Sequence, residues 1–436
     1  MYNRSGDLMV RIIGAGLAGV EAACYLANQG IDVVLYEMRP HKMTPAHQTG
    51  NFAELVCSNS LRSDDIQNAV GLLKREMETI GSLVMRAARI ASVPAGSSLA
   101  VDRDIFSSVI EEALTNHPHV KIVREEVLTI DLDIPTIVCA GPLVSDALSA
   151  RLQALLHQDY LHFFDAIAPI IDAHSINMDV AYLKSRYDKG EAAYINCPMN
   201  KDQYDAFYDA LIHAETVKVK DFEYNVFEGC MPCETMASRG HDTLLYGPMK
   251  PVGLARDDTE KPYAVVQLRQ DDAAKEMYNI VGFQTHLTWP EQKRIIRMIP
   301  GLEQAEILRY GVMHRNTYIE SPNVLNAGYQ TKTYPNLFIA GQLSGVEGYV
   351  ESAASGLSAA IQMTRMLKGL PIKPLPRTTM IGAMAHYIAT PNMSFVPMNA
   401  NLGLFPQLEF SHAKRDRKAF YAKRALEALD QYLEEQ

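Results

Sequence analysis

The clearest pattern of apolar and polar positions lies at the start of the chain. Residues 9–13 (MVRII) form a short apolar run typical of a buried strand, and residues 31–36 (IDVVLY) form a second one. Between them, residues 17–29 are rich in Ala and Leu and are followed by Gly30, which predicts a helix that ends there. A strand, a helix and a strand in this order predict a βαβ unit with two parallel strands.

Similar patterns recur along the rest of the chain. Apolar residues at helical spacing predict a helix over 68–80, and the apolar run 136–140 predicts another buried strand. Further predicted strands lie within 90–102, 119–130 and 337–340, and further predicted helices cover 103–116, the segment after about residue 350, and 414–436. This alternation of strands and helices predicts an α/β fold.

The middle of the chain has a different character. Residues 160–300 are rich in Tyr, Met and Pro, and their predicted elements are short. Residues 263–270 (YAVVQLRQ) alternate as a strand does, and residues 290–298 begin a helix. We therefore predict an inserted α+β domain over 161–304, between the two parts of a first domain, 1–160 and 305–436, the second of which ends in the C-terminal helix.

Length and composition set limits on the function. The 436 residues predict two or three domains, and no apolar run is long enough to cross a membrane. The first residues lack the apolar region of a signal peptide, so we expect a cytoplasmic protein. The net charge of −10 argues against a broad nucleic-acid surface but leaves room for a local basic patch.

Glycines at the first strand–helix junction indicate a dinucleotide site. Gly14, Gly16 and Gly19 have the G-x-G-x-x-G spacing, which permits a tight turn, close approach of a pyrophosphate and close helix packing. An acidic residue that can bind ribose hydroxyls, Glu37, ends the second strand. The residues predicted to contact the cofactor here are Gly14, Ala15, Gly16, Leu17, Ala18, Gly19 and Glu37.

A second glycine site follows about 300 residues later. The strand over 337–340 ends at Gly341, and a helix rich in small residues begins soon after. In flavoproteins of this layout such a site contacts the cofactor again, and the helix N-terminus favours negative charge on the flavin. Asp usually follows the glycine, but here the residue is Gln342. The pair of sites favours FAD over NAD and predicts an FAD-binding Rossmann-like domain of the glutathione-reductase type.

The six cysteines are scattered and do not suggest a disulfide framework. Cys57, Cys230 and Cys233 lie in polar segments, where chemistry is favoured. Cys230 and Cys233 form a C-x-x-C pair, which a flavin disulfide reductase would use. That enzyme would need a second full glycine fingerprint for NAD(P)H, and only one is present. No group of His, Cys and carboxylate residues has metal-ligand spacing, so we expect no metal.

Long motifs then carry a specific resemblance. GAGLAGVEAA, LYEMRPHKMTPAH, FAELVCSNSLRSD, FEGCMPCE, GPMKPVGL, GFQTHLTWPEQKR and AGQLSGVEGYVESAASGL occur in order over about residues 10–370. Together they resemble the folate- and FAD-dependent tRNA (uracil-5-)-methyltransferase family, TrmFO. The resemblance implies that methylenetetrahydrofolate gives a one-carbon unit, that reduced FAD accepts and delivers it, and that NADH or NADPH supplies electrons. The product implied is 5-methyluridine in the T-arm of tRNA, with no obligatory protein partner.

The resemblance also implies roles for particular residues. The nucleophile of the family matches Cys230, and its other functional cysteine matches Cys57, although the division of roles between them stays open. A thiolate that adds to C6 of uracil makes C5 nucleophilic, which fits a cysteine. Lys250 and Arg269 lie in strong motifs of the inserted domain and are the residues predicted to contact RNA phosphates. Cys233 departs from the family pattern, where an aliphatic residue is usual, and is interpreted as a packing residue.

Other functions stay open from the sequence. The same chemistry could act on a ribosomal RNA uridine. A related, larger flavoprotein family modifies the wobble uridine of tRNA, but its members carry an additional C-terminal helical domain. A non-enzymatic FAD-dependent RNA-binding module is a further alternative, and turnover with folate would exclude it.

Overall fold

The structure is a computed structural model, and it describes residues 9–158, 161–188, 191–217, 231–257, 261–391, 395–410, 413 and 415–435. The strands are β1 (Val10–Ile13), β2 (Val33–Tyr36), β3 (Ser60–Ser63), β4 (Ser92–Val93), β5 (Ser98–Val101), β6 (Val120–Val123), β7 (Thr136–Val138), β8 (Leu161–Ala166), β9 (Ile170–Asp172), β10 (Tyr182–Leu183), β11 (Tyr194–Met199), β12 (Ala264–Gln270), β13 (Met277–Ile280), β14 (Ile307–Arg309), β15 (Met313–Tyr318) and β16 (Leu337–Ile339).

The helices are α1 (Leu17–Asn28), α2 (Ala69–Ile80), α3 (Leu83–Ile90), α4 (Arg103–Thr115), α5 (Asp146–Leu156), α6 (Lys201–Ile212), α7 (Cys233–Ala237), α8 (Thr243–Tyr246), α9 (Trp289–Ile296), α10 (Ser321–Val324), α11 (Tyr349–Leu367), α12 (Met380–Ala389) and α13 (Arg417–Glu434). Across the described ranges, none of these helices combines the length and apolar character needed to span a bilayer.

A five-stranded parallel sheet organises both ends of the chain. Its strand order is β16-β7-β1-β2-β6, so β1 lies at the centre. The register aligns Ile13 with Tyr36 and with Val138, and Val138 in turn with Ile339. The carboxyl ends of these four strands therefore meet at one edge, which is where open α/β sheets bind ligands.

Close helix packing covers this sheet. Helix α1, which follows β1, packs against α11, which follows β16. The contact is so tight that a Cβ at Gly356 would lie 2.1 Å from the carbonyl oxygen of Ala18. Small residues along both helices allow this approach. The packed helices place the two glycine turns side by side at the carboxyl ends of the strands.

A second, six-stranded sheet is formed by the middle of the chain. Its order is β10-β11-β12-β13-β9-β14, with antiparallel pairs throughout. It has a separate apolar core, which includes Phe207, Val266 and Leu268. The predicted strand over 263–270 is observed as β12, and the predicted helix over 290–298 as α9. Strand β8 pairs with β15 in a two-stranded ribbon, and the boundaries 161–304 stay a prediction.

Several helices, among them α3, α5, α6 and α12, were not predicted from the sequence pattern. Helix α3 ends at Ile90, where the pattern predicts the start of a strand, and only the short β4 and β5 follow within 90–102. Its first turn is held by a distant residue: the Glu21 carboxylate accepts hydrogen bonds from the N–H groups of Leu83 and Val84 at 3.1 and 2.9 Å. The local signal for this helix is its N-cap residue Ser82, whose hydroxyl oxygen accepts a hydrogen bond from the Met85 N–H at 3.1 Å.

Candidate active site

A cavity of about 430 Å³ opens at the carboxyl edge of the parallel sheet. This volume lies within the range of small-molecule sites in proteins. Both glycine turns contribute to its wall, and so do several polar side chains from loops. Its lining residues include Gly14, Gly16, Leu17, Ala18, Glu37, Cys57, Arg269, Gln284, Gly341, Gln342 and Tyr349.

The three glycines of the first turn have different reasons to be glycine. Gly14 has φ +102°, and a Cβ there would lie 2.4 Å from the Cys139 carbonyl oxygen. A Cβ at Gly19 would lie 1.8 Å from the carbonyl oxygen of Gly14. A Cβ at Gly16 would meet no described protein atom within 4 Å, because Gly16 faces the cavity. The open space at Gly16 fits a bound pyrophosphate.

The first turn of α1 also presents its N–H groups to this space. The first intrahelical hydrogen bond is donated by the N–H of Val20 to the carbonyl of Gly16, at 3.0 Å. The N–H groups of Leu17, Ala18 and Gly19 precede it, so the helix itself cannot use them. A helix N-terminus of this kind favours a phosphate.

Glu37 is buried at the end of β2, with 5% of its surface exposed. Its carboxylate accepts hydrogen bonds from the Ala15 N–H at 3.0 Å and from the Arg39 N–H and Nε at 3.0 and 2.9 Å. Burial alone would raise the pKa of Glu37, but the hydrogen bonds and charge of Arg39 outweigh it and lower the pKa. The carboxylate therefore stays ionised at the cavity wall, where its contact with a ribose is still a prediction.

The second glycine turn faces the first. Gly341 has φ +76°, and a Cβ there would lie 3.3 Å from the Cβ of Ala18. Its N–H donates to Ser355 Oγ at 2.7 Å, which ties the turn to α11. The amide of Gln342 donates to Glu347 Oε2 at 2.6 Å. Gln342 thus reaches the cavity with its amide already engaged by a carboxylate.

Cys57 also lines the cavity, where it lies against Tyr349 at the start of α11. The Cys57 sulfur is 3.0 Å from the Tyr349 hydroxyl oxygen, which accepts hydrogen bonds from the N–H groups of Cys57 and Ser58 at 2.7 and 3.2 Å. Burial raises the pKa of Tyr349 well above its usual value, so the phenol keeps its proton. The Tyr349 hydroxyl and the Cys57 sulfur are within hydrogen-bond distance of each other, and either group can be the donor.

Arg269 lines the cavity on this side, and Arg103 lies behind the wall. Arg269 donates to Asn59 Oδ1 at 3.0 Å and to Ser58 Oγ at 2.7 Å, and Arg103 binds both oxygens of Asp271 at 2.9 and 3.1 Å. Both arginines interact electrostatically with Cys57. Arg269 is therefore the cationic group of the cavity wall that lies next to the loop carrying Cys57.

The two residues predicted to contact RNA lie in different places. Lys250 is exposed, but it is not part of the cavity wall. Arg269 is only 7% exposed, because β12 is an inner strand and its end packs against the loop that carries Asn59. Because Arg269 lines the cavity, the RNA contact predicted for it would be with a nucleotide inside the cavity, and the contacts of Lys250 and Arg269 with RNA stay predictions.

Cys230 lies outside the described residues, but the segment after it is described. Cys233 is 2% exposed within the second core, which fits a packing role. Its N–H donates to the carbonyl of Gln284 at 2.7 Å, and Gln284 lines the cavity. Next to it, Glu234 Oε1 lies 2.6 Å from His286 Nδ1. The segment that follows Cys230 is therefore attached to the cavity wall.

Sequence reasoning missed Tyr349, Glu234 and Gln284. A signal existed for Tyr349, because it directly follows the last glycine of the second motif and begins the helix. Glu234 and Gln284 lie about 50 residues apart in the chain, and only the fold brings them together. Across the described ranges, no group of His, Cys, Asp and Glu residues is arranged to hold a metal ion.

Comparisons with known proteins agree with this geometry. The family described as glucose inhibited division protein A matches residues 9–371. A protein of Acholeplasma laidlawii is 62% identical over 98% of this chain and 99% of its own length, and one of Anoxybacillus flavithermus is 59% identical over 97% and 99%. Both are named methylenetetrahydrofolate--tRNA-(uracil-5-)-methyltransferase TrmFO.

Among solved structures, GidA of Aquifex aeolicus in its form II crystal has the same fold. The TM-score is 0.69 at 16% sequence identity, over 99% of this chain and 74% of that one. The form I crystal gives a TM-score of 0.67, also at 16% identity, over 97% and 76%. The predicted α/β fold with a Rossmann-like sheet is confirmed. The chain belongs to the glucose inhibited division protein A family and, within it, to the TrmFO methyltransferases.

Proposed function

We propose that this chain transfers a one-carbon unit from methylenetetrahydrofolate to C5 of a uridine in tRNA, with FAD as its cofactor. The relatives that carry this activity in their names match nearly the whole chain at 59–62% identity. The observation that carries the proposal is that one cavity is lined by both glycine turns, by Glu37 and by Cys57. The alternative of a ribosomal RNA target has no such support.

The proposal also specifies the target, the reductant and the partners. The target is a uridine in the T-arm, NADH or NADPH supplies the electrons, and no protein partner is required. When bound, the reduced flavin provides electrons and works with the folate to deliver the one-carbon unit. The chain's own residues must bind and orient these molecules, and they must activate the uracil.

Binding of FAD is assigned to the two glycine turns. Gly16 and the first turn of α1 would hold the pyrophosphate, because they leave open space and unused N–H groups there. Glu37 would hold the ribose. Gly341 and Gln342 would contact the opposite side of the cofactor, because the Gly341 turn faces Ala18 across the strand ends.

Activation of the uracil is assigned to the cysteines. C5 of uracil is a weak nucleophile, and addition of the Cys230 sulfur to C6 moves electron density onto C5. After C5 has gained its new bond, its proton must leave before the Cys230 sulfur can depart from C6. The Cys57 sulfur is the group proposed to accept that proton, and the Tyr349 hydroxyl, 3.0 Å away, holds it in position.

The reaction can be tested by its requirements. The purified protein should be yellow, and it should methylate a T-arm RNA only when both methylenetetrahydrofolate and NAD(P)H are present. Formation of 5-methyluridine is measured by nucleoside analysis of the RNA. Methylation driven by S-adenosylmethionine would contradict the proposal.

The roles of the cysteines can be separated by trapping. RNA that contains 5-fluorouridine stalls after addition to C6 and bond formation at C5, because fluorine cannot leave C5 as a proton does and the sulfur then stays on C6. Cys230→Ala should abolish the covalent complex, whereas Cys57→Ala should keep it and lose methylation. Cys233→Ala is the control and should keep both. Trapping that persists in Cys230→Ala and vanishes in Cys57→Ala would reverse the assignment.

A further inference from the structure

The chain contains a single tryptophan, Trp289, and most of it faces solvent. Trp289 begins α9 and is 59% exposed. Its ring stacks on Tyr310, with centroids 5.0 Å apart and planes inclined by 16°. Offset stacking covers one face of the indole and leaves the other to solvent. The free face of the indole is therefore a flat aromatic surface on which a second ring can stack.

A buried side chain holds the pair in register. Gln292, on α9, is 1% exposed. Its Oε1 accepts a hydrogen bond from the Gly311 N–H at 2.8 Å, and its Nε2 donates to the Gly311 carbonyl at 2.9 Å. The backbone next to Tyr310 is therefore fixed to the helix that carries Trp289. The ring stack is built into the fold and does not depend on two freely rotating surface side chains.

The pair also lies close to the cavity. Gln284 lines the cavity and precedes Trp289 by only five residues, which span at most about 18 Å. On the other side, Arg309, the neighbour of Tyr310, donates to the carbonyl of Ala46 at 3.3 Å, and His47 is a further cavity residue. Both segments that carry the aromatic rings thus connect directly to the cavity wall.

Charge near the pair favours an anionic partner. Lys293 is exposed and lies four residues after Trp289, which places both on one face of α9. Arg294 is exposed as well, but its guanidinium binds Glu291 at 2.6 and 2.9 Å. Lys293 is therefore the cation best placed to meet a phosphate beside the aromatic ring.

We propose that Trp289 and Tyr310 form a stacking platform for an unpaired base of the tRNA substrate, close to the target uridine, with Lys293 at an adjacent phosphate. This inference rests on the proposed function and adds a contact site to it. An unpaired base has a free π-face, whereas bases within a duplex stack on one another. The platform lies outside the cavity, so it would hold a neighbour of the uridine that enters.

The single tryptophan provides a direct test. Addition of unmethylated tRNA to the FAD-bound protein should change the fluorescence of Trp289 in proportion to the fraction bound, after correction for absorption by the RNA. The dissociation constant from this signal should agree with one from filter binding. Unchanged fluorescence at RNA concentrations that saturate filter binding would overturn the proposal.

Variants separate stacking from general surface effects. Trp289→Ala and Trp289→Leu should weaken tRNA binding by about 5- to 100-fold, the usual loss for one stacked base, while Trp289→Phe should retain most of the affinity. The KM for tRNA should rise and kcat at saturating tRNA should change little. Phe410→Ala is the matched control, since Phe410 is also an exposed ring, 52% exposed, packed on a second ring.

The outcomes also separate this inference from the proposed function. If the wild-type protein methylates tRNA and Trp289→Ala binds tRNA as tightly as Phe410→Ala does, the platform is refuted and the function stands. If Trp289→Ala loses affinity but wild-type protein never produces 5-methyluridine, the function is refuted and the RNA contact stands. Wild-type protein that does not bind tRNA overturns both.

Discussion

Substitutions of Gly16 and Gly19 distinguish what folding requires at the first glycine turn from what cofactor binding requires there. We expect Gly19→Ala to destabilise the protein by about 1–3 kcal/mol, because its methyl group would overlap the Gly14 carbonyl and force helix and strand apart. Gly16→Ala should cost less than about 1 kcal/mol, because nothing in the protein opposes the methyl group. It should still lower the flavin content. Denaturant unfolding and flavin absorbance measure the two effects.

The two variants serve as controls for each other. If Gly16→Ala bound FAD as the wild-type protein does, the pyrophosphate would not lie against Gly16, and the assignment of the first turn would be wrong.

The hydroxyl of Tyr349 connects the start of α11 to the loop that carries Cys57. Tyr349→Phe removes the acceptor for two backbone N–H groups and the contact to the Cys57 sulfur. We expect a loss of about 1–3 kcal/mol in stability, since the N–H groups lose their partner. Methylation should fall at least tenfold, while FAD stays bound and trapping with 5-fluorouridine RNA persists. Full methylation activity in this variant would show that Tyr349 does not position Cys57.

At the scale of the elements, buried carboxylates cap helices at a distance. Glu21 caps α3, and Glu76 accepts hydrogen bonds from the N–H groups of Met380 and Ile381 at the start of α12, at 2.7 and 2.9 Å. Burial raises the pKa of Glu21 to about 7 and that of Glu76 to about 8, and the hydrogen bonds only partly oppose it. Both groups therefore connect the packing of whole helices to pH.

A raised pKa means that the folded state binds the proton more tightly than the unfolded chain. The stability from Glu21 and Glu76 is fully present below pH 4.5 and is lost as pH rises through 7 and 8. We expect the melting temperature to fall between pH 5 and 8, with a loss on the order of 3 kcal/mol for Glu21. Glu21→Gln should flatten this slope.

Lys74, another residue of α2, sets the upper pH limit for this measurement of the melting temperature. Burial lowers the pKa of Lys74 to about 8, so its contribution to stability rises with pH above that value and opposes the loss from the two carboxylates. A pH slope equal to that of the wild-type protein in Glu21→Gln would contradict a raised pKa at Glu21.

At the scale of the whole molecule, a buried ion pair joins the two sheets. Arg103, at the start of α4, binds both oxygens of Asp271, which directly follows β12 and is 1% exposed. The neighbouring Asp102 accepts a hydrogen bond from the Ala273 N–H at 2.8 Å. Arg103 also donates to the carbonyl of Leu55, two residues before Cys57. The junction therefore positions the cysteine loop as well as the second sheet.

We expect Asp271→Asn to cost about 3–5 kcal/mol, because it leaves the Arg103 charge buried without its partner. Methylation should also fall. Asp188→Asn is the matched control, since its ion pair with Lys184 is exposed and should contribute less than about 1 kcal/mol. Chemical denaturation measures both. Equal losses in the two variants would show that the pair does not hold the sheets together.

Local patterns in the sequence determined much of this protein. The first βαβ unit, the strands β7 and β16, the strand β12 and the helices α2 and α9 follow from apolar spacing, because that spacing is set by the period of each element. The first glycine turn and Glu37 could also be predicted from the sequence. A G-x-G-x-x-G pattern indicates a dinucleotide site when it lies between a predicted strand and a predicted helix, and this one does.

Only the tertiary structure decided which distant residues meet. The first turn of α3 is capped by the distant Glu21. The Cys57 sulfur contacts Tyr349, almost 300 residues later in the chain. The ring of Trp289 stacks on Tyr310, and Gln292 fixes the backbone next to that tyrosine. Arg269, which was predicted to contact RNA, lies in the cavity wall because β12 is an inner strand of its sheet. The spacing of hydrophobic residues specifies a secondary-structure element and the face that it buries. Which other element covers that face is decided by side-chain packing in three dimensions, and the spacing of hydrophobic residues along the chain does not contain this information.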